Sequence, residues 1–203
     1  MSRLAVIGAG GHAKVVLATL QAAGIDVDAV LDDDEGLWST ELLGVRVRGP
    51  IAELDGGRWS RGILAVGDNR TRSRFAADLG TPREIEWVPV VHPAAVVHPS
   101  ARLGPGAVVF AGAVVQPDAR LGAHVIVNTG ATVDHDCRLC DFVHLGPGGH
   151  LAGTVRVDEG AFLGIGSSVL PGVRIGAWAT VGAGAVVVSD VEPGATVRGV
   201  PAR

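Results

Sequence analysis

The central stretch of the chain, residues 97–187, carries an aliphatic residue at every sixth position. The sixteen positions are Val97, Leu103, Val109, Val115, Leu121, Val127, Val133, Leu139, Leu145, Leu151, Val157, Leu163, Val169, Ile175, Val181 and Val187. A period of six fits neither the 3.6-residue turn of a helix nor the two-residue alternation of a strand. Hexapeptide repeats are typical of a parallel β-helix, in which each short strand turns one large side chain inward. We therefore predict a solenoid whose neighbouring coils pair strand to strand.

The first third of the chain has a different pattern, in which short apolar runs flank a helical stretch. Residues 4–7, 27–31 and 62–66 are predicted strands. The first is followed by a glycine loop over residues 8–12 and by a helix that ends near Gly24. This βαβ order predicts a small Rossmann-like α/β domain with its glycine loop at the carboxyl edge of a parallel sheet. We expect this domain over residues 1–85 and the solenoid over residues 86–203.

The glycine loop and the end of the second strand indicate a nucleotide site. Glycines at the start of a helix let backbone N–H groups approach a phosphate. Asp32 and Asp33 end the second strand, where an acid commonly bonds a ribose hydroxyl. Roughly 80 residues are too few for a complete NAD fold, so half a site that holds one nucleoside diphosphate fits better. A plain glycine turn and a solvated strand end remain the alternatives.

One polar cluster, Asp134-His135-Asp136, lies between two aliphatic positions of the otherwise mostly apolar repeat. His135 lies two residues after Val133, outside the inward positions, so its ring should face outward. A carboxylate on one ring nitrogen would leave the other as a general base, a step worth on the order of 10²–10⁴ in rate. Three hexads make one turn of the coil, so Gly153 stacks on His135 about 4.8 Å away, and its N–H can face an oxyanion. A simple surface histidine is the alternative.

A metal site is a rival interpretation of the same stretch. Two sets of side chains imitate metal-ligand spacings: His135, Cys137, Cys140 and His144, and His135, His144 and His150. Cys137 occupies a small inward position, where a buried cysteine acts as a small hydrophobe. Four ligands would converge only if the repeat were broken, so we expect no metal. Three further histidines are expected on the surface: His92, His98 and His124.

Composition agrees with these elements and excludes several classes of protein. The 203 residues are 47% hydrophobic but only 4% aromatic and include 30 glycines, which suits a solenoid filled by Val, Leu and Ala. The net charge is −4 and we find no basic stripe, so nucleic acid is not an expected partner. The sequence shows no disulfide framework, no signal peptide pattern and no apolar run long enough for a bilayer. We expect a cytoplasmic protein that does not contact a membrane.

Motifs along almost the whole chain resemble the NeuD/PglD-type sugar acetyltransferases of the left-handed β-helix superfamily. They are Gly8-Ala9-Gly10-Gly11-His12, Leu31-Asp32-Asp33, Ala65-Val66-Gly67-Asp68-Asn69, Asn128-Thr129, Asp134-His135-Asp136-Cys137, Phe162-Leu163-Gly164-Ile165, Val181-Gly182-Ala183-Gly184-Ala185 and Gly199-Val200-Pro201-Ala202-Arg203. The glycine–histidine domain joined to the Asp-His-Asp motif is more specific than the hexads alone. The resemblance implies a left-handed β-helix and a homotrimer with active sites between subunits. It also implies acetyl-CoA as the cosubstrate, held in a groove between neighbouring solenoids.

The resemblance also implies a role for individual residues. His135 would remove a proton as the amine of the sugar attacks the thioester, Asp136 would increase its basicity, and the N–H of Gly153 would face the thioester carbonyl. The residues implied for the nucleotide sugar are Gly10, Gly11, His12, Asp32, Asp33, Gly67 and Asn128. The residues implied for acetyl-CoA are His144, Gly153, Ile165 and Ala183. At three of these positions the residue differs from the one found in relatives. Relatives carry Glu in place of Asp136, Ser in place of Gly10 or Gly in place of Ala183.

The expected function is acetyl-CoA-dependent N-acetylation of a nucleotide-linked amino sugar, such as a UDP-4-amino-4,6-dideoxy sugar, for bacterial surface glycan. One alternative is O-acetylation of a sugar such as a sialic acid. The other, from a different class, is a non-catalytic β-helix that binds partners as a scaffold.

Overall fold

The structure is a computed structural model that describes residues 3–56, 58–80 and 85–203. The N-terminal unit contains β1 (Leu4–Ile7), α1 (Gly11–Ala22), β2 (Ala29–Leu31), β3 (Glu41–Leu42), β4 (Val45–Gly49), β5 (Arg61–Leu64), α2 (Asn69–Gly80) and β6 (Glu86–Trp87), with 3-10 turns over Glu35–Leu37 and Ile51–Gly56. Its sheet has the order β3-β4-β2-β1-β5-β6 and is parallel except for the β3–β4 pair. The predicted βαβ unit is confirmed.

The alternation of side chains along β1 explains why helices cover both faces of this sheet. Leu4 and Val6 pack into the core that holds the apolar stripe of α1. Ala5 and Ile7 point to the opposite face, where α2 packs. The turn after β1 requires glycine at position 8, because its φ is +102° and a Cβ there would lie 3.1 Å from the Ala65 carbonyl oxygen.

The predicted solenoid is confirmed as a three-sided coil of two-residue strands. In chain order these are β7 (Val90–Val91), β8 (Val96–Val97), β9 (Arg102–Leu103), β10 (Val108–Val109), β11 (Val114–Val115), β12 (Arg120–Leu121), β13 (Ile126–Val127), β14 (Thr132–Val133), β15 (Arg138–Leu139), β16 (His144–Leu145), β17 (His150–Leu151), β18 (Arg156–Val157), β19 (Phe162–Leu163), β20 (Ser168–Val169), β21 (Arg174–Ile175), β22 (Thr180–Val181), β23 (Val186–Val187) and β24 (Thr196–Val197).

The strands form three parallel sheets, as is typical of left-handed β-helices. Face 1 contains β7, β10, β13, β16, β19, β22 and β24. Face 2 contains β8, β11, β14, β17, β20 and β23, and face 3 contains β9, β12, β15, β18 and β21. Each strand pairs with the strand one coil later, so that Val109 pairs with Val127 and Val127 with Leu145. These three side chains are fully buried, and burying each stabilises the fold by roughly 1.5–3 kcal/mol.

The N-terminal unit docks on face 1. Val108, Phe110 and Ile126, which point outward from the coil, share a buried cluster with the α1 side of the N-terminal sheet. Strand β6 still pairs with β5 in that sheet, through Arg61–Glu86 and Gly62–Trp87. Strand β6 therefore belongs to the N-terminal sheet, and β7 is the first strand of the solenoid.

Two expectations about surface charge and histidines were wrong. His124 points away from the coil but is buried under the N-terminal unit, whereas His92 is half-buried and His98 is exposed. A basic column also exists on face 3, because the first residues of its strands stack one above the other: Arg102, Arg120, Arg138, Arg156 and Arg174. The spacing of one coil hides this column in the linear sequence. Asp158 bonds both Arg156 and Arg174, at 2.8 and 2.7 Å.

Neither helix within the described ranges is long and apolar enough to cross a membrane.

Candidate active site

A cleft of about 300 Å³ opens at the carboxyl edge of the N-terminal sheet. Six of the seven residues predicted for the nucleotide sugar line it: Gly10, Gly11, His12, Asp32, Asp33 and Gly67. Gly10 is the N-cap of α1 and offers no side chain to the backbone N–H groups of the first turn. A Cβ at Gly10 or Gly11 would have no neighbour within 4 Å, so the loop leaves room for an anion at the helix start.

The two aspartates after β2 hold the walls of this cleft. The carboxylate of Asp32 accepts hydrogen bonds from the N–H groups of Ala9 and Asp34, at 2.7 and 2.9 Å. The carboxylate of Asp33 accepts a bond from the N–H of Ile51 at 2.9 Å. Both side chains therefore shape the cleft through the backbone, and both line it.

A second cleft of about 380 Å³ continues past Gly67, between the start of α2 and face 1. Phe162 and Thr180 form part of its floor, and the guanidinium of Arg70 lies 4.7 Å from the ring centre of Trp178 at its edge. Because both clefts are lined by Gly67, a ligand in the first can extend into the second.

His135 lies at the corner between faces 2 and 3, with more than half of its side chain exposed. Its Nδ1 is 2.9 Å from Oδ2 of Asp136, while the carboxylate of Asp134 accepts a bond from the backbone N–H of His135. The hydrogen bond to Asp136 raises the pKa of His135 above its usual value. Because a carboxylate accepts, Nδ1 carries the proton, and Nε2 of the neutral ring is the basic nitrogen.

Gly153 lies against the basic nitrogen of His135. A Cβ at this position would be 2.5 Å from Nε2 and 2.6 Å from Cε1 of the ring, so only glycine leaves the imidazole in place. Among the described residues, the N–H of Gly153 has no hydrogen-bond acceptor. The geometry provides a base and an unused donor side by side.

His144 is on face 1, and Asn128 is at the corner that follows this face. His144 is only 9% exposed because the N-terminal unit covers it. Its Nδ1 is 3.1 Å from the Gly67 carbonyl oxygen, and its Nε2 is 3.0 Å from Nδ2 of Asn128. Burial, with a smaller contribution from the charge of Arg72, lowers the pKa of His144 to about 4. His144 therefore lies on face 1 beneath the N-terminal unit, and its role towards acetyl-CoA stays a prediction.

His12 connects the nucleotide cleft to His144. The two ring centres are 6.2 Å apart, and Nε2 of His12 is buried with no hydrogen-bond partner in the described part of the chain. Burial, followed by the nearby Arg72 charge, lowers the pKa of His12 to about 4, so the ring is neutral. A buried ring nitrogen without a partner is costly unless a ligand satisfies it.

One chain does not gather all the predicted residues into one site. His135 and Gly153 occupy the corner between faces 2 and 3, which is opposite face 1 in a three-sided coil. Ile165 and Ala183 lie exposed at the corner between faces 1 and 2. Within one chain, the nucleotide cleft lies on the far side of the coil from His135.

The cysteines do not form a metal site with the histidines. The thiol of Cys137 is buried and donates to the Ala152 carbonyl oxygen, and burial raises its pKa to about 11. His144 uses both ring nitrogens in other bonds. Within the described ranges, no group of three or more His, Cys, Asp and Glu side chains has a geometry that could hold a metal ion.

Sequence reasoning missed Arg72 and the role of Asn69, whose amide donates to the carbonyl oxygens of Gly160 and Ala161 on the solenoid at 3.0 and 3.1 Å. Arg72 is 1% exposed and bonds carbonyl oxygens on both sides of the domain junction, at His124 and Phe142 on the solenoid and at Val66 and Gly67 on the cleft. One feature of the sequence indicates the burial of Arg72. It precedes Phe75 by three residues, so both side chains lie on the same, apolar side of α2.

Two family profiles match the chain. The PglD N-terminal domain matches residues 3–79, and the bacterial transferase hexapeptide family, described as six repeats, matches residues 154–189. A curated relative, UDP-N-acetylbacillosamine N-acetyltransferase of Bacillus subtilis (strain 168), is 37% identical over 121 residues. That match covers 55% of this chain and 52% of the relative, so the chain spans about half the length of that enzyme.

Solved structures match over the full length. PerB from Caulobacter crescentus, in complex with CoA and GDP-perosamine, is 46% identical with a TM-score of 0.94, and the match covers 100% of this chain and 97% of that one. The acetyltransferase domain of PglB from Neisseria gonorrhoeae FA1090, in complex with acetyl coenzyme A, is 40% identical with a TM-score of 0.92, covering 99% and 98%.

Proposed function

Because the chain belongs to the NeuD/PglD-type family of hexapeptide-repeat sugar acetyltransferases, we propose that it transfers the acetyl group of acetyl-CoA to the amine of a nucleotide-linked amino sugar. The observation that carries this proposal is the basic Nε2 of His135, paired with Asp136 through Nδ1 and lying beside the free N–H of Gly153. With acetyl-CoA as the donor, we place the reaction in the cytoplasm. PerB, which binds CoA and GDP-perosamine, supports the pairing of donor and acceptor.

The proposed reaction begins when Nε2 of His135 takes a proton from the amine as its nitrogen attacks the thioester carbonyl carbon. A C–N bond forms, and the charge that develops on the carbonyl oxygen is stabilised by the N–H of Gly153. The C–S bond then breaks, and the proton on His135 passes to the departing thiolate of CoA. Asp136 holds the ring in the Nδ1–H form and stabilises the imidazolium between these two steps.

The N-terminal cleft supplies the proposed nucleotide site. Its glycine loop at the start of α1 suits a diphosphate, and the unpartnered Nε2 of His12 suits a polar group next to it. The sequence favoured a UDP-linked sugar, and the Bacillus subtilis relative is named for one. The greater identity and coverage of the GDP-perosamine complex make GDP-perosamine the first acceptor to test.

We also propose a homotrimer with the active site between subunits. His135 of one copy would face the nucleotide cleft of another, because the two lie on opposite sides of one coil. Face 2 offers a surface for this contact, since it presents Val96, Val114 and Val186 outward, and Val96 is 64% exposed. Leu170 and Val188, which follow face 2, are also exposed apolar residues.

A substrate panel tests the proposed function. The protein is incubated with acetyl-CoA and, in turn, GDP-perosamine, a UDP-4-amino-4,6-dideoxy sugar and free sialic acid, and CoA release is followed with a thiol reagent. Turnover of a nucleotide-linked amino sugar supports the proposal. Turnover of sialic acid alone would identify an O-acetyltransferase instead, and calorimetry that shows no binding of CoA would identify a scaffold.

A further inference from the structure

Arg72 holds the N-terminal unit and the solenoid together from a buried position. Its Nε donates to the His124 carbonyl at 3.0 Å, and its Nη2 donates to the Phe142 carbonyl at 2.7 Å, on two successive coils. Its Nη1 donates to the carbonyl oxygens of Val66 and Gly67, at 3.0 and 3.1 Å. The guanidinium therefore fixes the Gly67 carbonyl, which borders the nucleotide cleft, relative to the solenoid.

The Gly67 carbonyl determines which nitrogen of His144 carries the proton. A carbonyl oxygen only accepts, so Nδ1 of His144, 3.1 Å away, must be the donor. His144 is neutral because burial lowers its pKa to about 4. Its Nε2 is therefore an acceptor.

The orientation of the Asn128 amide follows from the His144 tautomer. Since Nε2 of His144 accepts, the group of Asn128 that faces it at 3.0 Å must be the NH₂ group. The Oδ1 of Asn128 accepts a bond from the N–H of Thr129 at 2.8 Å, which agrees with this orientation. The second N–H of the amide has no partner among the described residues and remains available to a ligand.

We propose that Arg72 is a positioning residue for the acceptor. Arg72 fixes the Gly67 carbonyl, and this carbonyl sets the tautomer of His144. The His144 ring in turn orients the amide of Asn128, which presents its second N–H to the sugar nucleotide. We name the series Arg72, Gly67, His144 and Asn128 the polar relay. Its role in acceptor binding rests on the proposed function, whereas its hydrogen-bond directions do not.

Nitrogen NMR of the protein labelled at histidine tests those directions without substrate. We expect His144 to be the neutral Nδ1–H tautomer throughout pH 5–8 in the wild type. In Asn128→Asp an acceptor would face an acceptor, so we expect His144 to gain a proton and titrate at higher pH. An Nε2–H tautomer in the wild type, or an unchanged His144 in Asn128→Asp, would overturn the polar relay.

Kinetics of Arg72→Lys test the effect on the acceptor. Lysine keeps the charge but cannot reproduce five directed N–H groups, so Gly67 should shift. We expect KM for the nucleotide sugar to rise about tenfold or more, since a displacement near 1 Å has large effects, while KM for acetyl-CoA is unchanged. Arg74→Lys, on the exposed side of the same helix, is the matched control and should behave as wild type.

A folded Arg72→Lys protein with the wild-type acceptor KM would overturn the positioning role. Should this variant not fold, the acceptor KM of Asn128→Asp decides in its place, and an unchanged KM would overturn the role. If the wild type acetylated no amino sugar at all, the proposed function would fail, while the NMR experiment would still give its own answer on the polar relay.

Discussion

Replacing Gly153 by alanine should abolish most of the activity without weakening the fold. The backbone at Gly153 does not require glycine, because its φ is outside the left-handed region. The equivalent positions two coils before and one coil after are Pro117 and Pro171, so side chains fit this column of the coil. Glycine is needed only because His135 lies against it.

The structure gives the size of the effect. The alanine Cβ would lie 2.5 Å from Nε2 of His135, whereas ordinary contact begins at 3.4 Å. The imidazole must therefore retreat by about 1 Å, and such a displacement of a reacting group can lower the rate about 100-fold. This corresponds to about 2.7 kcal/mol of lost transition-state stabilisation. Stability should stay equal or rise by about 0.4–1 kcal/mol, because alanine restricts the unfolded chain.

Steady-state kinetics and thermal unfolding of Gly153→Ala measure both effects. The control is a double-mutant cycle with His135→Ala, in which Gly153→Ala should cost far less, since the ring that it displaces is gone. A folded Gly153→Ala protein with wild-type turnover would refute the reasoning. Equal costs in both backgrounds would show that Gly153 acts independently of His135.

Three further predictions follow from the pKa shifts and from the divided site. Asp136→Asn should lower the pKa of His135, because the hydrogen bond that raises it is weakened. The acidic limb of the pH profile of kcat/KM should therefore move to lower pH, and the maximum should fall. An acidic limb that does not move would argue against the pairing of His135 with Asp136. His12, His124 and His144 have folded-state pKa values of about 4 against an ordinary 6.5, so unfolded chains bind more protons between these values. Stability should therefore be full above pH 6.5 and fall by up to about 3 kcal/mol per buried histidine towards pH 4, which urea unfolding measures; a flat profile would contradict the burial. If each site uses two copies, refolding His135→Ala and His12→Ala chains together should restore activity, because about a quarter of the sites then combine an intact His135 with an intact His12. No restoration would favour a site within one chain.

The solenoid and its register follow from the sequence because the six-residue period is never interrupted. With no insertion between Val133 and Leu151, the stacking of Gly153 on His135 could be derived by counting, and the structure places a Cβ of residue 153 against that ring. The same counting identifies the outward positions. It gives no information about what covers an outward position from outside the coil.

That limit explains why the burial of two histidines could not be predicted. His124 and His144 both point away from the coil, as the register requires, and both are buried only because the N-terminal unit docks on them. The junction includes Arg72, a charged residue on a helix, and such a residue is ordinarily expected to face solvent. Its burial is tolerated because its donors meet carbonyl oxygens on both domains, a tertiary arrangement with no local sequence signature.

Mass spectrometry of the sugar nucleotide after incubation with acetyl-CoA tests the central claim most directly. We predict that the wild type adds one acetyl group to the amine of a nucleotide-linked sugar, as an amide that resists hydroxylamine. We predict that folded His135→Ala forms this product on the order of 10²–10⁴ times more slowly. Equal rates for the two proteins, or no acetylated nucleotide sugar from the wild type, would contradict the account.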